Sequence, residues 1–248
     1  MKIPKALASA TGAMALLAAW QFAGSRHLLG KTLPAPSEVL AVYRQGFRLA
    51  LLIRSARATV GAAGIGLGCG AFLGIIVAMV AHLLPSLRTG MNRLAVLVNA
   101  LPVIALAPIL ILCAGRRATP AVLAAVPVFF LIYMAVSTGL LHAADARLGQ
   151  YLHALGANRL QRMLWLEIPS SIPDLVTGLK TSVGSAMIGA IVGEWFGAPR
   201  GLGVVVINAM QNFQIALMWS AVLVIAAISL VSIVLLSALE RAMERRMR

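Results

Sequence analysis

The sequence predicts an all-α protein embedded in a membrane, a polytopic bundle of about six transmembrane helices, and three observations carry that reading. Of 248 residues, 60% are hydrophobic and 11% charged, with a mean hydropathy of +0.93, whereas a water-soluble domain carries roughly a quarter charged residues. Residues 58 to 81, 119 to 141 and 215 to 239 contain no charged side chain, enough at 1.5 Å per residue to cross a hydrocarbon layer about 30 Å thick. The 21 Lys and Arg outnumber 7 Asp and Glu, for a net charge of +14. These bases lie mostly between the apolar runs and at the C-terminus, which points to membrane anchoring and away from nucleic acid.

In chain order, residues 6 to 24 follow Lys2 and Lys5 and read as an uncleaved first span, longer than the core of a signal peptide. Pro34 and Pro36 form an elbow, where Ser37 is expected to cap a helix resting in the interface with Arg44 and Arg48 one turn apart. Residues 1–57 thus read as a first membrane helix plus an interfacial elbow helix, and residues 58–248 as a core of five membrane helices. The second span, 58 to 81, is rich in glycine, and Gly70 with Gly74 predicts close approach of a neighbouring helix. A third span from residue 94 holds Pro102 and Pro108 and should be kinked. A fourth covers 119 to 141. The fifth, about 174 to 196, carries Gly189, Gly193 and Gly197 at intervals of four, a stripe that calls for another helix, from this chain or a second subunit. The sixth covers 215 to 239.

Between the fourth and fifth spans lies a charged amphipathic loop, residues 142–170. Two short helical patterns flank Gly156, and Pro169 and Pro173 are expected to close the segment, giving a helix, a hinge and a helix. Six spans put both termini on one side, and Lys2, Lys5, Arg88, Arg93, Arg147, Arg159, Arg162 and the tail arginines make that side the cytoplasm.

The remaining polar residues exclude more than they assign. No G-x-x-x-x-G-K-[ST] occurs, and Lys180 in GLKTS reads as a snorkelling helix end. No H-E-x-x-H and no paired intramembrane Asp appears, so an intramembrane hydrolase is excluded. His27, His82, His142 and His153 lack metal-ligand spacing and read as interfacial. Cys69 and Cys113 lie within apolar runs and read as packed small hydrophobes. Glu194, an acid inside a span, either faces a cavity or pairs with a base such as Arg200. Asn208, Gln211, Asn212 and Gln214 read as an external loop, while Trp165, Trp195 and Trp219 fit aromatic belts. An ion-driven carrier would place several ionisable residues at mid-membrane depth, which this chain does not.

The segment DARLGQYLHALGANRLQRMLWLEIPSSIPDL, followed by TGLKTSVGSAMIGAIVGEWFGAPRGLG, resembles the inner-membrane permease subunits of binding-protein-dependent ABC importers. The stretch LPAPSEVL resembles the branch serving nitrate, taurine, sulfonates and pyrimidine precursors. The resemblance implies a type I permease fold in a bacterial inner membrane, no cofactor, and a small polar or anionic solute. It also implies three partners: ATPase subunits, an extracytoplasmic substrate-binding protein and a second permease copy. It assigns ATPase coupling to Asp145, Arg147, Gln150, His153, Ala154, Leu155, Gly156, Ala157, Arg159 and Pro169. Gln150, Tyr151 and Leu152 stand where the family has Glu-Ala-Ala, so the acidic member is missing. The resemblance further implies a path between paired fifth spans, with Gly189, Gly193, Glu194 and Gly197 at the subunit interface or path.

Overall fold

The computed structural model describes residues 5–28, 30–142 and 146–247. Ten α-helices and no strand are found among them: α1 Lys5–Ser25, α2 Pro36–Arg44, α3 Gly46–Leu83, α4 Pro85–Ala100, α5 Val103–His142, α6 Ala146–Ala154, α7 Arg159–Arg162, α8 Ile168–Trp195, α9 Leu202–Gln211 and α10 Ile215–Met247. A π-helical turn, Met163–Glu167, joins α7 to α8. Among the described residues, four stretches are long and apolar enough to cross a membrane: Gly46–Leu83, Val103–Leu141, Arg159–Trp195 and Ile215–Ala242.

The expected third and fourth spans are divided differently from the sequence reading. The chain breaks completely before Pro102, with Leu101 extended at φ −79° and ψ 133°, because a proline drives its predecessor out of the helical region. Pro108 sits inside α5 without a break. The backbone of α5 instead leaves helical geometry at Gly115, φ 74° and ψ 161°. Ala107 and Leu123, eight residues to either side, share one buried cluster with Val192, whereas a straight helix would hold them about 24 Å apart. The chain therefore doubles back at Gly115. Tyr133 Oη donates to Asn92 Oδ1 at 2.7 Å and clips α4 against the returning leg.

That leg of α5 is the centre of the bundle, packed between α3 and α8. The contact with α3 is made possible by missing side chains. A Cβ on Gly70 would stand 2.6 Å from Ala125 O, and one on Gly74 2.7 Å from Phe129 O, so the two backbones are in contact as the small-residue spacing predicts. Ala71, Ala78, Val128, Ile132, Ala186 and Met187 fill the space around them.

The two ends of the bundle differ. At the elbow end, Trp20 Nε1 donates to Pro34 O at 3.1 Å, Tyr43 Oη to Ser220 O at 2.8 Å and Trp219 Nε1 to Thr32 O at 3.1 Å, tying α1, α2 and α10 together. Ser37 does not cap α2; Ala35 holds the N-cap position and Pro36 opens the helix, since proline needs no N–H partner there. Ser37 pairs with Gln21 of α1. Arg44 and Arg48 fall on two helices separated by extended Gln45, and residues 57 and 58 lie within the unbroken α3. Cys69 and Cys113 are unpaired, and both are exposed on the bundle surface rather than packed. The other end carries α6, α7 and the Leu83–Pro85 turn, and is the loop end.

Candidate functional site

At the loop end the chain builds a bent lever. Gly156 follows α6 at φ +80°, a left-handed conformation costing an L-residue about 1–2 kcal/mol. The Ala157 amide reaches back to Leu152 O at 3.0 Å, closing the six-residue ring that ends many helices. Two residues on, Asn158 opens α7 with a reciprocal cap: its Oδ1 accepts from Gln161 N at 2.8 Å and its amide donates to Gln161 Oε1 at 2.9 Å. The predicted helix, hinge and helix are thus present, with geometry fixed on both sides of Gly156.

Pro169 and Pro173 do not close the lever. Both lie in the first turns of α8, which is continuous with α7 through the π turn. In that turn the Ile168 amide bonds Met163 O, five residues back, and this wider winding carries the chain up to Pro169, which has no amide hydrogen to give. The lever and the long α8 are consequently one rod.

A buried acid locks this rod to α3. Glu167, 2% exposed, receives Arg162 Nε at 2.8 Å on one oxygen and His82 Nε2 at 2.7 Å on the other. Arg159 Nη1 donates to Leu83 O at 3.3 Å, so this arginine also holds the lever to α3. Sequence reading missed Glu167 and His82 as partners; the one signal available was an acidic residue among the apolar positions before Pro169. His82 is held in the chain rather than free at an interface.

The opposite face of the lever has no partner among the described residues. Leu148, Tyr151, Leu155, Leu160 and Trp165 are 50–72% exposed, and Gln150, Ala154, Gly156 and Pro169 are exposed while Ala157 is half-buried. The backbone of Arg147 and His153 lies in α6, and Asp145 lies outside the described residues.

A second exposed face runs along α8. Asp174, Thr177, Thr181, Ile188 and Trp195 are exposed and Ser185 half-exposed, spaced along one helical face. With Thr138 of α5, the first three line a shallow cavity of about 290 Å³. Asp174 has no ion pair among the described residues. Polar groups exposed on a membrane-spanning segment mark a wet surface. Thr177 Oγ1 and Lys180 Nζ reach the two oxygens of Glu240 at 3.0 and 2.9 Å, so Lys180 bridges α8 to α10 rather than snorkelling.

The glycine stripe lies elsewhere. A Cβ on Gly193 would stand 2.5 Å from Pro120 Cα, and one on Gly189 would strike Leu123 O. Both glycines are therefore spent on α5 of the same chain and present no face to a second subunit. Gly197 is beyond the end of α8 at φ +102°, beside the Arg116 side chain. Glu194, 2% exposed, does not pair with Arg200: its Oε2 accepts from Gly203 N at 2.7 Å. Thr59 Oγ1 accepts from Leu202 N at 2.8 Å. Side chains from α8 and α3 thus satisfy two amides in the first turn of α9, which otherwise lack partners. Gly201 leaves room for the carboxylate, since any Cβ there would overlap it.

Among the described residues no group of His, Cys, Asp and Glu could hold a metal ion. The chain matches the family described as "Binding-protein-dependent transport system inner membrane component" over residues 70–248. A probable ABC transporter permease protein of Haemophilus influenzae is 32% identical, covering 67% of this chain and 68% of that protein. The formylaminopyrimidine transport permease protein ThiX of Halalkalibacterium halodurans is 31% identical, covering 80% and 79%. The taurine transport system permease protein TauC of Escherichia coli is 26% identical, covering 91% and 84%. In fold, the chain is similar to the inward-facing MetNI methionine ABC transporter, with a TM-score of 0.65 at 18% identity over 78% of this chain and 96% of that one. A lever at one end of an all-α membrane bundle, with no nucleotide-binding motif of its own, is what such a subunit needs, and the chain belongs to this family: it is a multi-pass permease subunit of a bacterial binding-protein-dependent ABC importer, and its ATPase is a separate chain.

Proposed function

We propose that residues 142–170 are the handle by which ATPase subunits move this permease, and that the polar face of α8 lines the solute path. The exposed apolar side of a doubly capped lever carries the first part: Tyr151 and Leu155 are large, exposed and ahead of the Arg159–Trp195 stretch, and Leu160 and Trp165 are exposed at its start, the kind of anchor a protein pocket takes up. Because the lever continues into α8, a displacement at Gly156 is delivered along the path-lining helix. Two copies, related by a twofold axis, would bring two α8 faces together and enclose what one copy leaves half open.

In this reading α1, α3, α4 with the first leg of α5, the second leg of α5, α8 and α10 make six passes. Both termini and the lever are cytoplasmic, and the elbow end meets the substrate-binding protein. The division into residues 1–57 and 58–248 is kept as a functional one, accessory anchor and transport core. The solute is small and polar or anionic, as the name of the taurine relative suggests. Thr138, exposed beside that face, offers it a hydroxyl donor along the path.

The test is a pull-down of the cognate ATPase by the permease carrying Leu155→Asp and Trp165→Asp, with Thr181→Trp as a second variant. The lever substitutions should abolish co-purification. Thr181→Trp should leave co-purification intact and stop uptake. Unchanged co-purification with the lever variant refutes the handle.

A further inference from the structure

At the elbow end, between the start of α3, the start of α9 and the α9–α10 turn, lies a half-open cavity of about 360 Å³. Its polar lining is basic and neutral: Arg54, Arg200, Ser55, Asn208, Asn212 and Gln214. Neither arginine has an ion-pair partner among the described residues, and no acidic side chain lines the space. Asn212 spends one N–H on Asn208 O at 2.8 Å; the side chains of Asn208 and Gln214 make no hydrogen bond among the described residues.

The nearest acid, Glu194, lies behind the wall formed by Gly201, buried, with one oxygen engaged by the Gly203 amide. Two guanidinium groups therefore face the cavity against one carboxylate behind it. Leu51, Val204 and Leu217 complete the lining as an apolar wall. Arg54 also precedes the uncharged run of α3. The α3 helix has 38 residues and would span about 57 Å; its uncharged part begins only at residue 58.

The geometry points to a binding site for a small organic oxyanion, a sulfonate or carboxylate with a short apolar tail, in the chamber between Arg54 and Arg200. Forked, permanently charged guanidinium groups suit a planar or tetrahedral oxyanion, carboxamide N–H groups supply further donors, and the volume is that of a small-molecule site rather than a flat docking face. This site rests on the proposed transport of a small polar or anionic solute and deepens it: it holds such a solute at the elbow end, separate from the α8 face.

The experiment uses the purified permease–ATPase complex without binding protein, titrated calorimetrically with butanesulfonate, with butyltrimethylammonium as the cationic control. Saturable binding of the sulfonate alone is expected, weakened about tenfold by each of Arg54→Gln and Arg200→Gln and unchanged by Thr181→Trp in the α8 face. No saturable sulfonate binding by a complex that still performs nucleotide-driven uptake with its binding protein overturns the site and leaves the transport reading standing. Binding that survives both arginine substitutions, or that Thr181→Trp removes, places the anion elsewhere and overturns it too. Failure of nucleotide-driven uptake in the unsubstituted complex is the separate result that counts against the transport reading.

Discussion

Replacing Glu167 with alanine should uncouple this permease without detaching it from its ATPase. The carboxylate is 2% exposed and holds Arg162 at 2.8 Å and His82 at 2.7 Å. A hydrogen bond to a charged group is worth about 1.5–3 kcal/mol. Arg162 is 37% exposed, so water recovers most of its loss and the contribution there falls to about 0–1 kcal/mol. His82 is 13% exposed and its Nδ1 already has no hydrogen-bond partner among the described residues; losing Nε2 as well costs about 1–3 kcal/mol. The sum, about 1–4 kcal/mol, shifts the balance between locked and unlocked lever by about five- to several-hundredfold. In proteoliposomes containing the ATPase and the binding protein, ATP hydrolysis should persist while solute moved per ATP falls steeply. Co-purification should be retained, because Tyr151, Leu155 and Trp165 are untouched. His82→Ala combined with Glu167→Ala should add little to Glu167→Ala alone, since the two residues share one interaction. A wild-type ratio of solute to ATP, or hydrolysis and uptake lost together with co-purification, would refute the reasoning.

Other substitutions separate the hinge, the core and the elbow end. Gly156→Ala should lower ATPase affinity modestly, by the roughly 1–2 kcal/mol of left-handed strain, whereas Gly156→Pro, whose ring fixes φ near −65°, should abolish docking and uptake while the spans remain inserted; pull-down and protease protection report both. Gly193→Leu should reduce the yield of monodisperse protein on size-exclusion chromatography, because its side chain would enter Pro120. Glu194→Ala should lower the melting temperature by removing the acceptor for the Gly203 amide, about 1–3 kcal/mol, with co-purification of the ATPase unchanged.

Much of the bundle can be read from the order of residues, because the bilayer imposes a simple rule on uncharged runs. The hinge is equally local: Gly156 and the Asn158–Gln161 cap are set by neighbours within a few residues. What the sequence does not reveal is partnership at long range. The stripe at Gly189 and Gly193 announces a close helix contact, yet only the fold assigns that contact to Pro120 and Leu123 of the same chain. Lys180 meets Glu240, 60 residues away, and His82 meets Glu167 across the bundle. Proline, too, misleads when read alone: Pro169 and Pro173 suggest an end, but the preceding π turn lets the rod run on. Glu194 was legible as an unusual acid in a span; its engagement with the first turn of α9 was not, because Gly201 and Gly203 come close to it only after the chain turns back.

Solute uptake by vesicles holding the purified permease and binding protein, measured with and without the ATPase subunits, bears most directly on whether the bundle is a gate driven from outside itself. Accumulation should appear only when the ATPase and ATP are both present, and an imposed proton or sodium gradient should not replace them. Accumulation driven by such a gradient in vesicles lacking the ATPase would contradict the account.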